Sequence, residues 1–404
     1  MRNPLSRKLV LTVLFCVTAM QAIPAQGTWT PAAPLRIGRF LHAIAAGVDG
    51  TIYALGGRTG STVIDDAEAY DSRSDSWSNI ASLPTARQGL AATTGLDGRI
   101  YAAGGFNEGP LGVVEVYEPG SDQWFTISPM PTRRHSAAAA TGQDGRVYVM
   151  GGRASDGPLN VVEVYDPTIG TWMTAAPMPT ARFQFAAVTG SDGLIYAIGG
   201  NSIAAELGTV EAYDPGTGCW SARADMPTAR HGLGVANGPN GLIYALGGTV
   251  IGETTVYSSV EAYDPTSDDW TTVAPMLSAR FAFGAAAGRD GRIYAVGGTT
   301  GSRTLDAVEA YDAFTHASDG FRLPVTCPDC PYTVRVKPSR PVLAWLRQET
   351  LPCCSPEITA DGSPSARSSS GWHLCLPPKS SRHGRQWRRR WRDRATNAPQ
   401  SGYL

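Results

Sequence analysis

Residues 192–200 read DGLIYAIGG, which is a two-residue turn followed by a short apolar segment and a pair of glycines. Asp-Gly tolerates the positive φ angles of a type I′ hairpin, and the apolar segment after it favours a β-strand. The pattern occurs six times, and the steps between successive glycine pairs are 48, 47, 48, 48 and 50 residues. A period near 50 residues is typical of propeller blades rather than of helical solenoids. The first glycines of the pairs are Gly56, Gly104, Gly151, Gly199, Gly247 and Gly297.

Each repeat predicts four strands. Strand a is the run of small apolar residues before the turn, and strand b is the Ile-Tyr-Ala segment. Strand c is Val-Glu-Ala-Tyr or a variant of it, and strand d begins at a tryptophan. The strand c glutamate precedes the tryptophan by nine residues in all five complete repeats, which indicates a turn of fixed length. The sequence therefore predicts an all-β fold, a six-bladed β-propeller with four-stranded blades around a channel.

The sixth repeat predicts how the ring closes. It ends at residues 309–312 (EAYD) without a tryptophan, whereas residues 27–34 (GTWTPAAP) form a strand d that has no preceding strands a, b and c. We expect the strand of Trp29 to pair with residues 308–311. The ring would then be closed by an N-terminal strand d, which removes two exposed sheet edges.

The recurring Gly-Gly pair, strand c tyrosine and tryptophan resemble the kelch repeat over about residues 27 to 315. The resemblance implies a propeller of the galactose-oxidase-like superfamily, and we assign residues 26–316 to it. In kelch propellers that act as receptors, arginines in comparable loops contact ligands, and the resemblance implies the same for this chain.

Residues 1–25 have the pattern of a signal peptide. Arg2, Arg7 and Lys8 precede an uncharged apolar run at residues 9–20, and small residues follow before Gln26. The run is short for a membrane span, which needs about 20 apolar residues, although an uncleaved anchor is the alternative. We therefore expect a secreted, periplasmic or cell-surface protein with no transmembrane span after signal removal.

Residues 317–404 fall outside the repeats and carry 14 Lys and Arg against 6 Asp and Glu. This basic segment contains several prolines and cysteines, and it is predicted to be a disordered tail. Two alternatives stay open: zinc binding by its cysteines, and translation out of the original reading frame. No nucleic-acid partner is expected.

The strand order divides the loops between two faces. The d-to-a and b-to-c connections form the variable-loop face, and the a-to-b and c-to-d turns form the short-turn face. A rigid scaffold with variable loops on one side predicts binding at the variable-loop face. One arginine recurs there in every repeat, and we call these six the ring arginines: Arg39, Arg87, Arg134, Arg182, Arg230 and Arg280.

The ring arginines have two interpretations. Cationic groups around a mouth suit an anionic ligand, a carbohydrate or an acidic peptide. Alternatively, each arginine ties adjacent blades together by pairing with the glutamate that begins strand c. Six further candidates for ligand binding at this face are Arg58, Asn107, His135, Arg153, Asn201 and His231. The arginines and asparagines among these six do not recur in every repeat, which favours a ligand role for them.

The sequence predicts an exported, non-catalytic binding module whose partner is an anionic protein or glycan ligand. Motifs for phosphate binding, for a nucleophile elbow and for a zinc protease are absent from the sequence. No cofactor or metal is expected, because His135 and His231 lack a convincing third ligand. The alternative is an enzyme acting on an anionic sugar, because periplasmic sialic acid epimerases are similar in architecture. A copper-radical oxidase is disfavoured, since Cys219 is the only cysteine of the repeats and is predicted on the short-turn face.

The charges of the repeats predict an electrically polarised disc. Residues 26–316 contain 17 arginines against 29 acidic residues. Most turn carboxylates are expected on the short-turn face, and the ring arginines on the other. Such a mouth would attract anions despite the negative net charge, unless the strand c glutamates pair with the ring and cancel it.

Overall fold

The computed structural model describes residues 27–251 and 255–313. The signal peptide predicted for residues 1–25 and the tail predicted for residues 317–404 lie outside these residues. Strands are the regular elements of the described part, and 24 of its 28 strands form six four-stranded antiparallel sheets. The predicted all-β, six-bladed propeller is therefore confirmed. Within the described residues, no helix has the length and apolar character needed to cross a membrane.

The blades are numbered in chain order, and their strands are given from a to d. Blade 1 consists of β2 (Ala43–Ala46), β3 (Ile52–Leu55), β6 (Ala67–Asp71) and β7 (Ser76–Ile80). Blade 2 consists of β8 (Ala91–Thr94), β9 (Ile100–Ala103), β10 (Val114–Glu118) and β11 (Gln123–Ile127). Blade 3 consists of β12 (Ala138–Thr141), β13 (Val147–Met150), β16 (Val162–Asp166) and β17 (Thr171–Ala175).

The second half of the ring repeats this plan. Blade 4 consists of β18 (Ala186–Thr189), β19 (Ile195–Ile198), β20 (Val210–Asp214) and β21 (Cys219–Arg223). Blade 5 consists of β22 (Gly234–Asn237), β23 (Ile243–Leu246), β24 (Val260–Asp264) and β25 (Asp269–Val273). Blade 6 consists of β26 (Gly284–Ala287), β27 (Ile293–Val296), β28 (Val308–Asp312) and β1 (Thr28–Ala32). Two short hairpins lie in b-to-c loops: β4 (Arg58–Thr59) with β5 (Thr62–Val63), and β14 (Arg153–Ala154) with β15 (Gly157–Pro158).

The N-terminal strand closes the ring as predicted. β1 pairs antiparallel with β28, with Trp29 opposite Tyr311 and Ala32 opposite Val308. The Trp29 indole N–H also donates a 2.9 Å hydrogen bond to the carbonyl of Ala274, which follows blade 5. The other five strand d tryptophans make the same bond to the preceding blade, at 2.8 to 2.9 Å. The indoles therefore fasten the outer strands to their neighbours all around the ring.

The core lies between neighbouring blades. Strand b is buried at every position, and the tyrosines of strands b and c meet across each junction, as Tyr294 and Tyr70 do at 5.2 Å between ring centroids. Strand a is crowded near the axis, because a Cβ atom added at Gly284 would overlap the side chain of Ile44 in the next blade. The small residues of strand a are therefore a packing requirement of the fold.

Candidate functional site

The six ring arginines are fully buried, and each guanidinium pairs with the strand c glutamate of its own blade. The N···O distances lie between 2.5 and 3.1 Å. Burial lowers the pKa of each arginine, and the negative charge of the adjacent glutamate opposes that effect. The pairs are Arg39–Glu68, Arg87–Glu115, Arg134–Glu163, Arg182–Glu211, Arg230–Glu261 and Arg280–Glu309.

The backbone of each ring arginine binds the preceding blade. The Arg87 N–H donates to the carbonyl of Ile64 at 3.3 Å, and the Arg87 carbonyl accepts the N–H of Gly57 at 2.9 Å. The other five ring arginines repeat this pair of bonds. Each arginine thus ties two blades together, and its charge is cancelled by its glutamate. Five ring arginines were expected to contact a ligand, but their side chains have no exposed surface: Arg87, Arg134, Arg182, Arg230 and Arg280. The structure therefore supports the other interpretation, in which these arginines tie adjacent blades together.

A belt of backbone hydrogen bonds closes around the axis two residues after the ring arginines. Each of its six residues donates its N–H to the carbonyl of the equivalent residue in the preceding blade, at 2.7 to 2.9 Å. All six have φ between +51° and +63°, and only two are glycines. We call this the axial belt, and its members are Leu41, Gly89, Ser136, Gln184, Gly232 and Ala282.

Each residue of the axial belt directly follows one member of a set of twelve residues, two from each blade, which we call the mouth ring. In each blade, the residue after the ring arginine forms a β-bridge with the residue after the Gly-Gly pair. Sequence reasoning identified the second position only where it holds arginine or asparagine, although its constant place in the repeat could have revealed Phe106 as well. The pairs are Phe40–Arg58, Gln88–Phe106, His135–Arg153, Phe183–Asn201, His231–Thr249 and Phe281–Thr299.

Two arginines of the mouth ring differ from the ring arginines in their surroundings. Neither Arg58 nor Arg153 has a carboxylate partner within 4.0 Å among residues 27–251 and 255–313. The Arg58 guanidinium lies 5.9 Å from the ring centroid of Phe40, and that of Arg153 lies 5.4 Å from the ring centroid of Phe183. Arg153 is exposed and Arg58 is half-buried, so both are accessible from the variable-loop face.

His135 lies between an aromatic ring and Arg153. Its imidazole meets the Phe106 ring edge-on, with centroids 5.3 Å apart, and its Nδ1 is 3.0 Å from the Ser136 hydroxyl. Burial, and to a lesser degree the charge of Arg153, lower the pKa of His135, which is therefore neutral at pH 7. We call the accessible cations and their aromatic neighbours on blades 1 to 4 the cationic-aromatic strip: Phe40, Arg58, Phe106, His135, Arg153 and Phe183.

Asn201 and His231 are held by Glu206 rather than presented to solvent. The Asn201 amide donates to the Glu206 carboxylate at 3.3 Å, and the same carboxylate oxygen lies 3.4 Å from His231 Nδ1. Asn201 and His231 are 1% and 7% exposed, which leaves little surface for a ligand. Burial lowers the pKa of His231, although the Glu206 charge opposes it. By contrast, Asn107 is exposed and donates to the carbonyl of Ala86 at 3.0 Å.

The short-turn face carries the carboxylates that the sequence predicted there, and several of them bind within their own blade. Asp97 accepts the Tyr101 hydroxyl at 2.7 Å, and equivalent bonds occur in blades 3, 4 and 6. A cavity of about 110 Å³ between blades 6 and 1 is lined by Asp49, Asp71 and Arg289 with their neighbours. No group of three His, Cys, Asp or Glu in the described ranges could hold a metal ion.

Comparison with known proteins places the repeats in context. Residues 42–84 and 89–131 match the family model of the Kelch motif, and residues 126–298 match that of the KLHDC2/KLHL20/DRC7 Kelch-repeats domain. A solved structure titled "Structure of YjhT" is similar in fold, with a TM-score of 0.59 and 16% sequence identity. The similarity covers 68% of this chain and 95% of that one. A search of curated proteins finds no match.

Proposed function

The chain is a kelch-repeat β-propeller, and from this premise we propose that it is a non-catalytic binding module with an anionic ligand at the variable-loop face. The ligand class includes acidic peptides and anionic glycans, because both present carboxylates to a guanidinium. The propeller supplies a rigid frame, and the loops that follow the Gly-Gly pairs supply the variable contacts.

One observation carries this proposal: Arg58 and Arg153 are accessible cations seated over aromatic rings, whereas the six ring arginines are buried and neutralised. An arginine above an aromatic face is held in position without losing its charge. Phe106 and His135 lie between the two in ring order, so a ligand at the strip would meet both charge and aromatic surface. This arrangement suits a carboxylate attached to a flat or apolar group.

The test compares the wild-type chain with an Arg58→Ala, Arg153→Ala double variant. Both are screened against a random peptide library and an array of sialylated and neutral glycans. We expect the wild type to retain anionic probes with an affinity that falls as salt rises, and the double variant to lose them. Arg99→Ala is the matched control, because Arg99 is an exposed arginine on the short-turn face. Binding whose affinity does not depend on salt concentration, or that is lost in Arg99→Ala rather than in the double variant, would contradict the proposal.

The alternative function is an enzyme acting on an anionic sugar. The observation that favours it is the position of the half-buried His135 imidazole near the guanidinium of Arg153, because an imidazole can accept a proton while the arginine holds a carboxylate. NMR of purified protein with sialic acids would detect a change in the sugar. Turnover that His135→Ala abolishes would support the enzyme and exclude a purely binding role.

We also propose that the protein is exported to the periplasm, the cell surface or the medium. The support is the sequence pattern of residues 1–25 alone. Expression of the full chain with fractionation, followed by N-terminal sequencing of the mature product, tests this. A mature N-terminus close to Gln26 in the exported fraction is expected, and retention of the intact chain in the cytoplasm would contradict it.

A further inference from the structure

Two exposed isoleucines lie on neighbouring blades of the variable-loop face. Ile203 belongs to the b-to-c loop of blade 4 and Ile251 to that of blade 5, and each is 59% exposed. Ile203 has φ of +75°, a left-handed conformation that a β-branched residue adopts only under strain. Strain of this kind clusters at functional sites. Because the Ile203 side chain is largely exposed, its apolar surface contributes little to the stability of the fold.

One hydrogen-bond network, formed by the buried Asn201 and the half-buried Glu206, holds the backbone of both isoleucines. The Asn201 side-chain oxygen accepts the N–H of Ile203 at 2.6 Å, and its amide group donates to Glu206. The same Glu206 oxygen accepts the N–H of Ile251 at 2.6 Å. Because Asn201 is almost fully buried, the network joins the backbone at Ile203 and Ile251 to the frame of the propeller. The two isoleucines are therefore presented in fixed positions.

The isoleucines continue the cationic-aromatic strip. The Arg153 guanidinium lies over the Phe183 ring, and Phe183 forms a β-bridge with Asn201, whose side chain holds Ile203. An accessible positive charge and an apolar pair are thus linked by contiguous residues across blades 3, 4 and 5. A ligand on this side of the mouth would meet the charge at one end and the apolar pair at the other.

We propose that this surface binds an extended protein segment with a carboxylate against Arg153 and an aliphatic or aromatic side chain against Ile203 and Ile251. This inference rests on the proposed function and names the ligand class within it. The carboxylate complements the exposed guanidinium of Arg153. The apolar side chain removes the two isoleucines from water. An anionic glycan would pair with Arg153 but would leave Ile203 and Ile251 uncovered, because it has no apolar side chain of comparable size.

The strained φ of Ile203 permits a discriminating variant. Ile203→Gly removes the side chain and relieves the strain, because glycine adopts a positive φ freely. If the isoleucine served only the fold, this variant would bind as the wild type does. The proposal instead expects weaker binding at an unchanged or higher melting temperature. Ile251→Ser is combined with it to remove the second contact, and Ile203→Asn repeats the test with another residue that tolerates this conformation.

The experiment pans a random dodecapeptide phage library on the full-length wild type, Arg153→Ala, the Ile203→Gly, Ile251→Ser double variant, and Ile169→Ser. The last is the control, because Ile169 is 63% exposed in a c-to-d turn on the opposite face. We expect the wild type and the control to select peptides that combine Asp or Glu with a large apolar residue. A selected peptide, once synthesised, should bind the double variant about tenfold more weakly or worse.

Four results would overturn the inference. Acidic peptides selected without an apolar position, or a peptide that binds the double variant as tightly as the wild type, would refute it while leaving the proposed function standing. Retention of anionic glycans with no peptide selected would do the same. If the wild type retains neither peptides nor glycans, both the inference and the proposed function fail. Melting temperatures of all variants verify that each is folded.

Discussion

The backbone N–H of Gly298, in the last blade, donates a 2.8 Å hydrogen bond to the carbonyl of Arg39, which precedes the first blade. The Arg39 side chain pairs with Glu68 in the first blade. One residue therefore holds both sides of the junction at which the ring closes. Because the other five ring arginines do the same at their junctions, the ring arginines and their glutamates hold the blades together.

Removal of one glutamate from these pairs should destabilise the propeller strongly. Glu68→Gln leaves the buried Arg39 charge without its partner, and we expect the free energy of unfolding to fall by about 3–5 kcal/mol. Urea denaturation followed by tryptophan fluorescence measures this change. Arg99→Ala, which removes an exposed pair on the short-turn face, should cost less than about 1 kcal/mol. Equal losses in the two variants would show that the buried pair does not hold the junction.

His42 should make the stability depend on pH. Burial, assisted by the positive charges of Arg39 and Arg280, lowers its pKa to about 3. Neither ring nitrogen has a hydrogen-bond partner of good geometry among the described residues. The pKa of His42 in the unfolded chain is about 6.5, so the unfolded state binds a proton that the folded state does not. Between these values the free energy of unfolding falls as pH falls, by up to about 1.4 kcal/mol per pH unit.

His42→Leu isolates this effect, because apolar residues such as Leu90 and Leu233 occupy the same position in other blades. The variant should be more stable than the wild type, and the difference should grow as pH falls from 6.5 towards 3. The buried pairs Arg39–Glu68 and Arg280–Glu309 are present in both proteins, so their contributions cancel in the difference. If the stability difference between the two proteins did not depend on pH, folding would not lower the pKa of His42.

Deletion of residues 26–34 should open the ring. The loss of β1 exposes the edge of β28 in blade 6 and breaks the indole bond to Ala274. Unpaired edges associate with other chains, so we expect aggregation in light scattering and loss of a single cooperative melting transition. Trp270→Ala is the comparison, since it removes the equivalent indole bond without removing a strand. A deletion variant that melts as cooperatively as the parent would exclude closure by β1.

The axial belt predicts different effects of alanine at two half-buried loop glycines. Gly89 has φ of +60° within the belt, whereas Gly109 has no neighbour within 4 Å of an added Cβ. Gly89→Ala should lower the free energy of unfolding by about 1–2 kcal/mol, because left-handed alanine is unfavourable. Gly109→Ala should be neutral or slightly stabilising. Thermal denaturation of both variants measures these changes. A Gly89→Ala variant as stable as the wild type would show that the belt tolerates alanine without strain.

The fold could be predicted from the sequence because its determinants are local and repeat. The Gly-Gly pair recurs six times, the Asp-Gly turn five times with Asn-Gly in the fifth repeat, and the constant spacing from glutamate to tryptophan five times, and each defines a strand or a turn. The sixth repeat lacks a strand d and the segment at Trp29 is a strand d without a repeat, so the two are predicted to pair. The register of β1 on β28 confirms this pairing.

The site was predicted less well, because it depends on packing between blades and on loop side chains that differ from blade to blade. The positions of the ring arginines were evident, but their burial depends on packing between blades. Glu206 gave no signal, since its counterparts in the other b-to-c loops, such as Val256 and Thr304, are not acidic. It nevertheless holds Asn201, His231 and Ile251. The axial belt was also missed, because four of its six left-handed positions are not glycines.

The register of the closing strand places Thr28 directly opposite Asp312, so the first and last strands of the propeller end side by side. A short linker from residue 313 to residue 27 could therefore join them, and the chain could be cut at another surface turn, such as Asp144-Gly145. Such a circular permutant would keep every blade junction while moving the interrupted blade from position six to position three. The order of the blades is thus fixed by the sequence, but the architecture itself does not distinguish a first blade from a last one.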